Sequence, residues 1–179
     1  MQKLANSPQG QSRRLLIIDD APSIHDDFRK ILAPAQGSPS KLDALEATLL
    51  GESASSPERP TFEIDSAFQG KEGLEMVRKG RQENRPYLLA FVDMRMSPGW
   101  DGIETAARIW AEDPDMLVVI CTAYADYSWD QIKNELGDTG RWFMLRKPLD
   151  PEEIRQLARS LTDKSLLLRQ RRESSGGQR

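Results

Sequence analysis

The stretch Ala90–Thr105, "AFVDMRMSPGWDGIET", decides how the rest of the chain is read. An apolar run stops at a single aspartate, Asp93, a Pro-Gly loop follows, and a helix then begins. An unpaired carboxylate at the end of a buried strand is costly, so a cation is expected close by. Asp101 is a good N-cap residue type, and Glu104 stands three positions later, the spacing of a capping box. Behind it Ile103, Ala106, Ala107 and Trp110 share one helical face. The local order is therefore strand, loop, helix, with an acid where the strand ends.

The same unit recurs on both sides. "RLLIIDD" (Arg14–Asp20) reads as a strand, and after Pro22 a helical pattern carries Ile24, Phe28, Ile31 and Leu32. "TFEID" (Thr61–Asp65) reads as a second strand, followed by a short helix, "KEGLEMVRKG", closed by Gly80. "YLLAFVD" ending at Asp93 is the third strand, and "MLVVICT" (Met116–Thr122) the fourth. Ser128 and Gln131 form another capping-box pair, opening a helix from Trp129 to about Leu136. "RWFMLRK" (Arg141–Lys147) is the fifth strand. Asp150, Pro151 and Glu153 then open a helix with Ile154, Leu157, Ala158, Leu161 and Leu168 on its inner stripe. Strands alternating with helices predict an α/β fold with a five-stranded parallel sheet covered on both faces. Right-handed crossovers place every strand's C-terminal end on one edge, the edge where ligands bind in such sheets.

The unusual residues fall on that edge. Asp19 and Asp20 end the first strand, Asp93 the third, Thr122 the fourth, and Lys147 with Pro148 the fifth. Like charges 4 Å apart cost about 4 kcal/mol at an effective dielectric of about 20, so three clustered carboxylates require a cation. An all-oxygen set suits Mg²⁺. A divalent ion, a lysine and a hydroxyl around one carboxylate make a receptacle for a phosphoryl group, because each stabilises charge on its oxygens.

The composition bounds the alternatives. A chain of 179 residues fits one domain with decorated ends. The net charge of −3 gives no nucleic-acid footprint. Cys121, the single cysteine, excludes a disulfide framework and fits a reducing cytoplasm. No apolar run approaches the ~20 residues of a membrane helix, and "MQKLANSPQG" lacks a signal-peptide core. His25, the only histidine, is assigned a surface or boundary position on the first helix.

The pair in "LLIIDD", Asp93 in "FVDMRM", the following "PGWDG", "CTA" with Thr122, and "RKP" with Lys147 come in order, each at a strand end. Together they resemble the receiver domain of two-component response regulators. The resemblance implies a flavodoxin-like (βα)5 three-layer sandwich with strand order 2-1-3-4-5. It implies that Asp93 is the phosphoacceptor, charged by a histidine kinase or a histidine phosphotransfer protein. Asp19, Asp20, Asp93 and the backbone carbonyl of Arg95 would hold Mg²⁺, and Thr122 and Lys147 the phosphoryl oxygens, with help from the Ala123 amide. The Lys147–Pro148 bond would be cis. Such a protein is a phosphoacceptor that assists its own phosphorylation and dephosphorylation rather than an enzyme with a separate substrate.

The chain departs from that pattern in three places. The loop after Asp93 is one residue longer, with Ser97 where proline is common. Met144 occupies the position three before the lysine that is commonly aromatic, with Phe143 beside it. Residues 33–60 form an insert after the first helix. Its "KLDALEATLLG" spaces Leu42, Leu45 and Leu49 as an extra helix with Gly51 as C-cap, serving as a packing cover or as a partner or dimer contact.

The expected organisation is a flexible segment 1–13, a receiver domain 14–168, and a polar tail or linker 169–179. No output domain follows, so the chain is either a single-domain regulator or a piece of a longer one. The long insert and the site motifs look like those of receivers attached to cyclic-diguanylate or histidine-kinase signalling proteins. The face of the fourth helix, fifth strand and fifth helix is the expected readout surface and the candidate for homodimerisation. Nucleic acid and membrane are not expected partners. Two alternatives stay open: a receiver-like scaffold independent of phosphorylation, and a Mg²⁺-dependent phosphohydrolase with an aspartate nucleophile. The phosphohydrolase needs a second acid two positions after the nucleophile, where this chain has Arg95.

Overall fold

The computed structural model describes residues 13–33, 60–123 and 127–176. In chain order these form β1 (Arg13–Ile18), α1 (Pro22–Leu32), β2 (Phe62–Ala67), α2 (Gly70–Gln82), β3 (Leu89–Asp93), α3 (Gly102–Glu112), β4 (Leu117–Thr122), α4 (Trp129–Leu136), β5 (Trp142–Arg146) and α5 (Pro151–Gly176). All strand pairings are parallel, in the order β2-β1-β3-β4-β5, as expected. The extra helix expected within 33–60 and the N-terminal residues 1–12 lie outside the described residues.

The continuous apolar runs have a two-sided explanation. Side chains alternate across the sheet, so Leu16, Ile18, Ala90, Val92, Val118 and Ile120 meet Leu74, Val77, Ala106, Ile109 and Ile132 of α2, α3 and α4. Their neighbours Leu15, Ile17, Leu89, Phe91, Leu117 and Val119 meet Phe28, Leu32, Ile154, Ala158 and Leu161 of α1 and α5. Cys121 is a buried free thiol in this second core.

The caps follow their sequence signals. Ser128 and Gln131 make both halves of a capping box. Asp150 accepts from the amides of Glu152 and Glu153, both at 2.9 Å. Asp101 accepts from the Glu104 amide at 2.8 Å, but the Glu104 carboxylate turns to Arg108 instead of completing a box.

Gly80 does not close α2, which runs on to Gln82. The glycine answers a packing demand instead. The chain folds back so that the Arg85 amide donates to the Gly80 carbonyl at 2.7 Å, and a Cβ on Gly80 would stand 2.9 Å from the Arg85 oxygen. Strand ends also shift by a residue or two. β2 extends to Ala67, β3 starts at Leu89, and Asp19, Asp20 and Lys147 fall just beyond their strands.

α5 continues past Leu168 to Gly176, into the segment read as a polar tail or linker. Its far end is tied to the sheet edge opposite the strand C-termini. Arg169 donates to the Tyr87 carbonyl at 2.9 Å and to the buried Asp113 carboxylate at 2.8 Å, and Arg172 pairs with Asp115 at 3.1 Å. Among the described residues no helix is long and apolar enough to cross a membrane.

Candidate functional site

Asp93 is the last residue of β3, in register with Cys121 of β4. The next amide, of Met94, donates to the Cys121 carbonyl at 2.8 Å, which holds the strand's exit. α3 backs directly onto this point. The Gly102 amide donates to the Met94 carbonyl at 2.9 Å, and a Cβ on Gly102 would lie 2.7 Å from the Asp93 carbonyl oxygen. Only glycine allows so close an approach without displacing backbone.

Asp19 follows β1. Its amide donates to the Ala67 carbonyl at 3.2 Å, and its Oδ1 accepts from the Ala21 amide at 2.9 Å. Asp20 is exposed beside it. Carboxylate oxygens of Asp19, Asp20 and Asp93 all lie within 4.8 Å of one another.

Lys147 follows β5, preceding a cis bond to Pro148. Its amide donates to the Thr122 carbonyl at 2.9 Å, which aims the side chain across the sheet end. Its Nζ donates to Asp93 Oδ1 at 2.7 Å and to Asp19 Oδ2 at 3.1 Å. The Arg95 amide donates to Asp93 Oδ2 at 3.2 Å.

One ammonium thus serves two buried carboxylates, with a third alongside. Burial pushes the Asp93 carboxyl above its ordinary range; the bond and charge of Lys147 pull the other way, and Asp19 adds to the rise. Burial opposes the charge on Lys147, but Asp93 and Asp19 together outweigh it and its pKa is raised. The cluster is short of positive charge, and its oxygen donors are hard ligands. That donor set fits Mg²⁺ better than a softer transition ion.

The structure therefore brings together Asp19, Asp20, Asp93 and Lys147. Thr122 ends β4, beside them in the sheet, but its hydroxyl donates to the Ala123 carbonyl at 3.1 Å. Met144 is half-buried against the core that holds Ile132 and Leu136 of α4, while Phe143 packs on the opposite core, with the Lys164 ammonium 5.1 Å from its ring. His25 is not at the surface or boundary. It is buried, with Nε2 2.7 Å from the Asp19 carbonyl oxygen. The one sequence signal was its spacing, six residues after Asp19 on a helix that starts beside it.

A family model for the response regulator receiver domain matches residues 48–159, more than half of the chain. The chain belongs to the response regulator receiver domain family. The match to the receiver model begins inside the insert, so β1 and the Asp19–Asp20 pair lie outside it; the tertiary structure returns them to their place between β2 and β3. The receiver is 34% identical over 94 residues to sporulation initiation phosphotransferase F of Bacillus subtilis (strain 168), covering 52% of this chain and 68% of that protein. Among solved structures, an adenylate cyclase from Rhodopirellula baltica superposes with a TM-score of 0.67 at 19% identity, covering 93% of this chain and 98% of that one. The signal receiver domain of an HD domain-containing protein from Pseudomonas fluorescens Pf-5 gives 0.66 at 16% identity, covering 95% and 99%. A CheY-like receiver domain protein from Methanospirillum hungatei JF-1 gives 0.57 at 22%, covering 86% and 96%. These structures share the receiver's fold.

Proposed function

We propose that this receiver takes a phosphoryl group from a phosphohistidine onto Asp93 and reads the result out through the face formed by α4, β5 and α5. The supporting observation is the cluster itself: three carboxylates with oxygens within 4.8 Å, and an ammonium 2.7 Å from Asp93. In the transfer an Asp93 carboxylate oxygen attacks phosphorus. The P–N bond to the histidine ring breaks, and its electron pair leaves with the imidazole. Asp19, Asp20, Asp93 and the Arg95 carbonyl are the residues that would hold Mg²⁺, which neutralises charge on the phosphoryl oxygens.

Lys147 then exchanges Asp93 Oδ1 for a phosphoryl oxygen. Thr122 gives up the Ala123 carbonyl for another, which draws the loop after β4 toward the site. The modification adds about −1.5 to −2 charges, and couplings of about 1–3 kcal/mol suffice to bias a partner or an output module. The donor is a histidine kinase or a histidine phosphotransfer protein, and the α4-β5-α5 face is the homodimer or output contact. The phosphotransferase named among the relatives agrees with a place in a phosphorelay. Within this reading residues 14–168 are the receiver domain, and α5 beyond Leu168 stays tied to it through Arg169 and Arg172.

Intact-mass measurement after incubation with acetyl phosphate and Mg²⁺ tests the chemistry. One added phosphate is expected on the wild type and none on Asp93→Asn. An unmodified wild type, or an equal gain on both proteins, rejects Asp93 as the acceptor.

A further inference from the structure

His25 lies near the start of α1 with 1% of its surface exposed. Its Nε2 is 2.7 Å from the Asp19 carbonyl oxygen. A carbonyl only accepts, so Nε2 carries the proton and donates it. The other ring nitrogen, Nδ1, is buried without a hydrogen-bond partner among the described residues. The ring packs on Phe68, from the β2–α2 connection, with centroids 4.5 Å apart.

This is an expensive way to fill an apolar space. A buried polar atom left unpaired is destabilising, and leucine or phenylalanine would occupy the site without it. What the imidazole adds is one hydrogen bond, and that bond ends on the peptide joining Asp19 to Asp20. Asp19 is otherwise tied through its amide to Ala67, through its Oδ1 to Ala21 and through its Oδ2 to Lys147. None of these three contacts sets the plane of the peptide that follows. Turning that peptide changes the direction in which the Asp20 side chain leaves the backbone, and so the spacing of the acidic cluster.

We propose that His25 is a positioning residue for the acidic cluster: its Nε2–H holds the Asp19–Asp20 peptide in the orientation that turns the Asp20 carboxylate toward Asp93. The inference rests on the Mg²⁺ reading above and adds a residue that touches neither the ion nor the phosphoryl group. It also joins α1 to the site, because the donor is carried by a helix whose Phe28 and Leu32 are locked into the core.

Three variants separate this role from simple filling of space. His25→Gln keeps a donor at about the reach of Nε2, whereas His25→Phe and His25→Leu keep the bulk without the donor. Two readouts are taken: the Mg²⁺ dissociation constant by calorimetry, and hydrogen exchange of the Ala21 amide in metal-free protein. Thermal melting reports the overall fold separately. Losing one hydrogen bond predicts about five- to tenfold weaker Mg²⁺ binding in the Phe and Leu variants. Ala21 exchange is faster in the same two, and His25→Gln stays near wild type in both readouts.

The inference is overturned if His25→Phe binds Mg²⁺ as tightly as wild type with unchanged Ala21 exchange, or if His25→Gln is as impaired as His25→Phe. Should the Phe variant not fold, the Leu variant takes its place in the comparison. A wild type that does not bind Mg²⁺ removes the ion reading, and the exchange measurement then decides alone. Lost Ala21 protection in the apolar variants but not in Gln supports the positioning role, and equal protection in all refutes it.

Discussion

Replacing Lys147 with methionine keeps most of the stem and deletes the side-chain cation that pairs with Asp19 and Asp93 among the described residues. At 2.7 and 3.1 Å, each attraction is about 5–6 kcal/mol gross at an effective dielectric of about 20. Burying the ammonium costs part of this, and its side chain is 27% exposed, so the net value is smaller. Breaking a buried pair by removing one partner typically costs about 3–5 kcal/mol, because the other charge is stranded. With Lys147 partly exposed and Asp20 open to solvent, we expect Lys147→Met to lose about 2–3 kcal/mol at pH 7 without divalent ions.

The pH dependence is a sharper signature. Lys147 has a raised pKa in the folded protein, so its contribution is fully present below the unfolded value of 10.5 and is lost as pH rises through the folded value. At the acid end, protonating Asp93 removes a charge the ammonium pairs with. The gap between wild type and variant is therefore widest above the raised folded pKa of Asp93 and below 10.5, and narrows on both sides. Asp93 itself runs the other way from a usual carboxylate. Its raised pKa means that its ionisation costs stability as pH rises through the folded value, and the cost grows once Lys147 is gone. Urea unfolding in EDTA at several pH values measures the gap. A difference below about 0.5 kcal/mol at pH 7, or one that does not change with pH, refutes the electrostatic account.

Two further outcomes follow from the packing. Arg169 is 19% exposed and holds an Asp113 carboxylate whose side chain is 2% exposed, so Arg169→Met is expected to cost about 2–4 kcal/mol. Adding Asp113→Asn should restore more than half of that in a double-mutant cycle; losses that simply add would show that the two groups are not coupled. Gly102→Ala forces a Cβ to 2.7 Å from the Asp93 carbonyl, which predicts a loss of about 1–3 kcal/mol in urea titrations. A stability equal to wild type would mean that α3 does not press on the acceptor strand as described.

Much of this fold was legible from local pattern. The β3 and β4 runs are apolar at consecutive positions because α2, α3 and α4 cover one face of the sheet while α1 and α5 cover the other. Ser128, Asp101 and Asp150 announced helix starts because a side-chain oxygen next to free amides is a local interaction. Gly80 misled for a related reason. Glycine after a periodic segment reads as a stop, but here it admits a returning carbonyl from Arg85, a contact set by the path of the loop. His25 was misplaced because nothing within its own helix distinguishes a polar ring facing water from one facing the Asp19 carbonyl.

What the sequence determined by itself was the order of strands and helices, their caps, and the acids, hydroxyl and lysine placed where strands end. These rest on periodicity and on hydrogen bonds between near neighbours, which a linear reading can see. Tertiary structure alone decided that Lys147 reaches Asp19 across 128 residues and Asp93 across 54, and that Arg169 ties the end of α5 to Asp113. Those contacts depend on strand order, on the direction of each crossover and on the burial that strengthens charge interactions, and none of these is a property of any short segment.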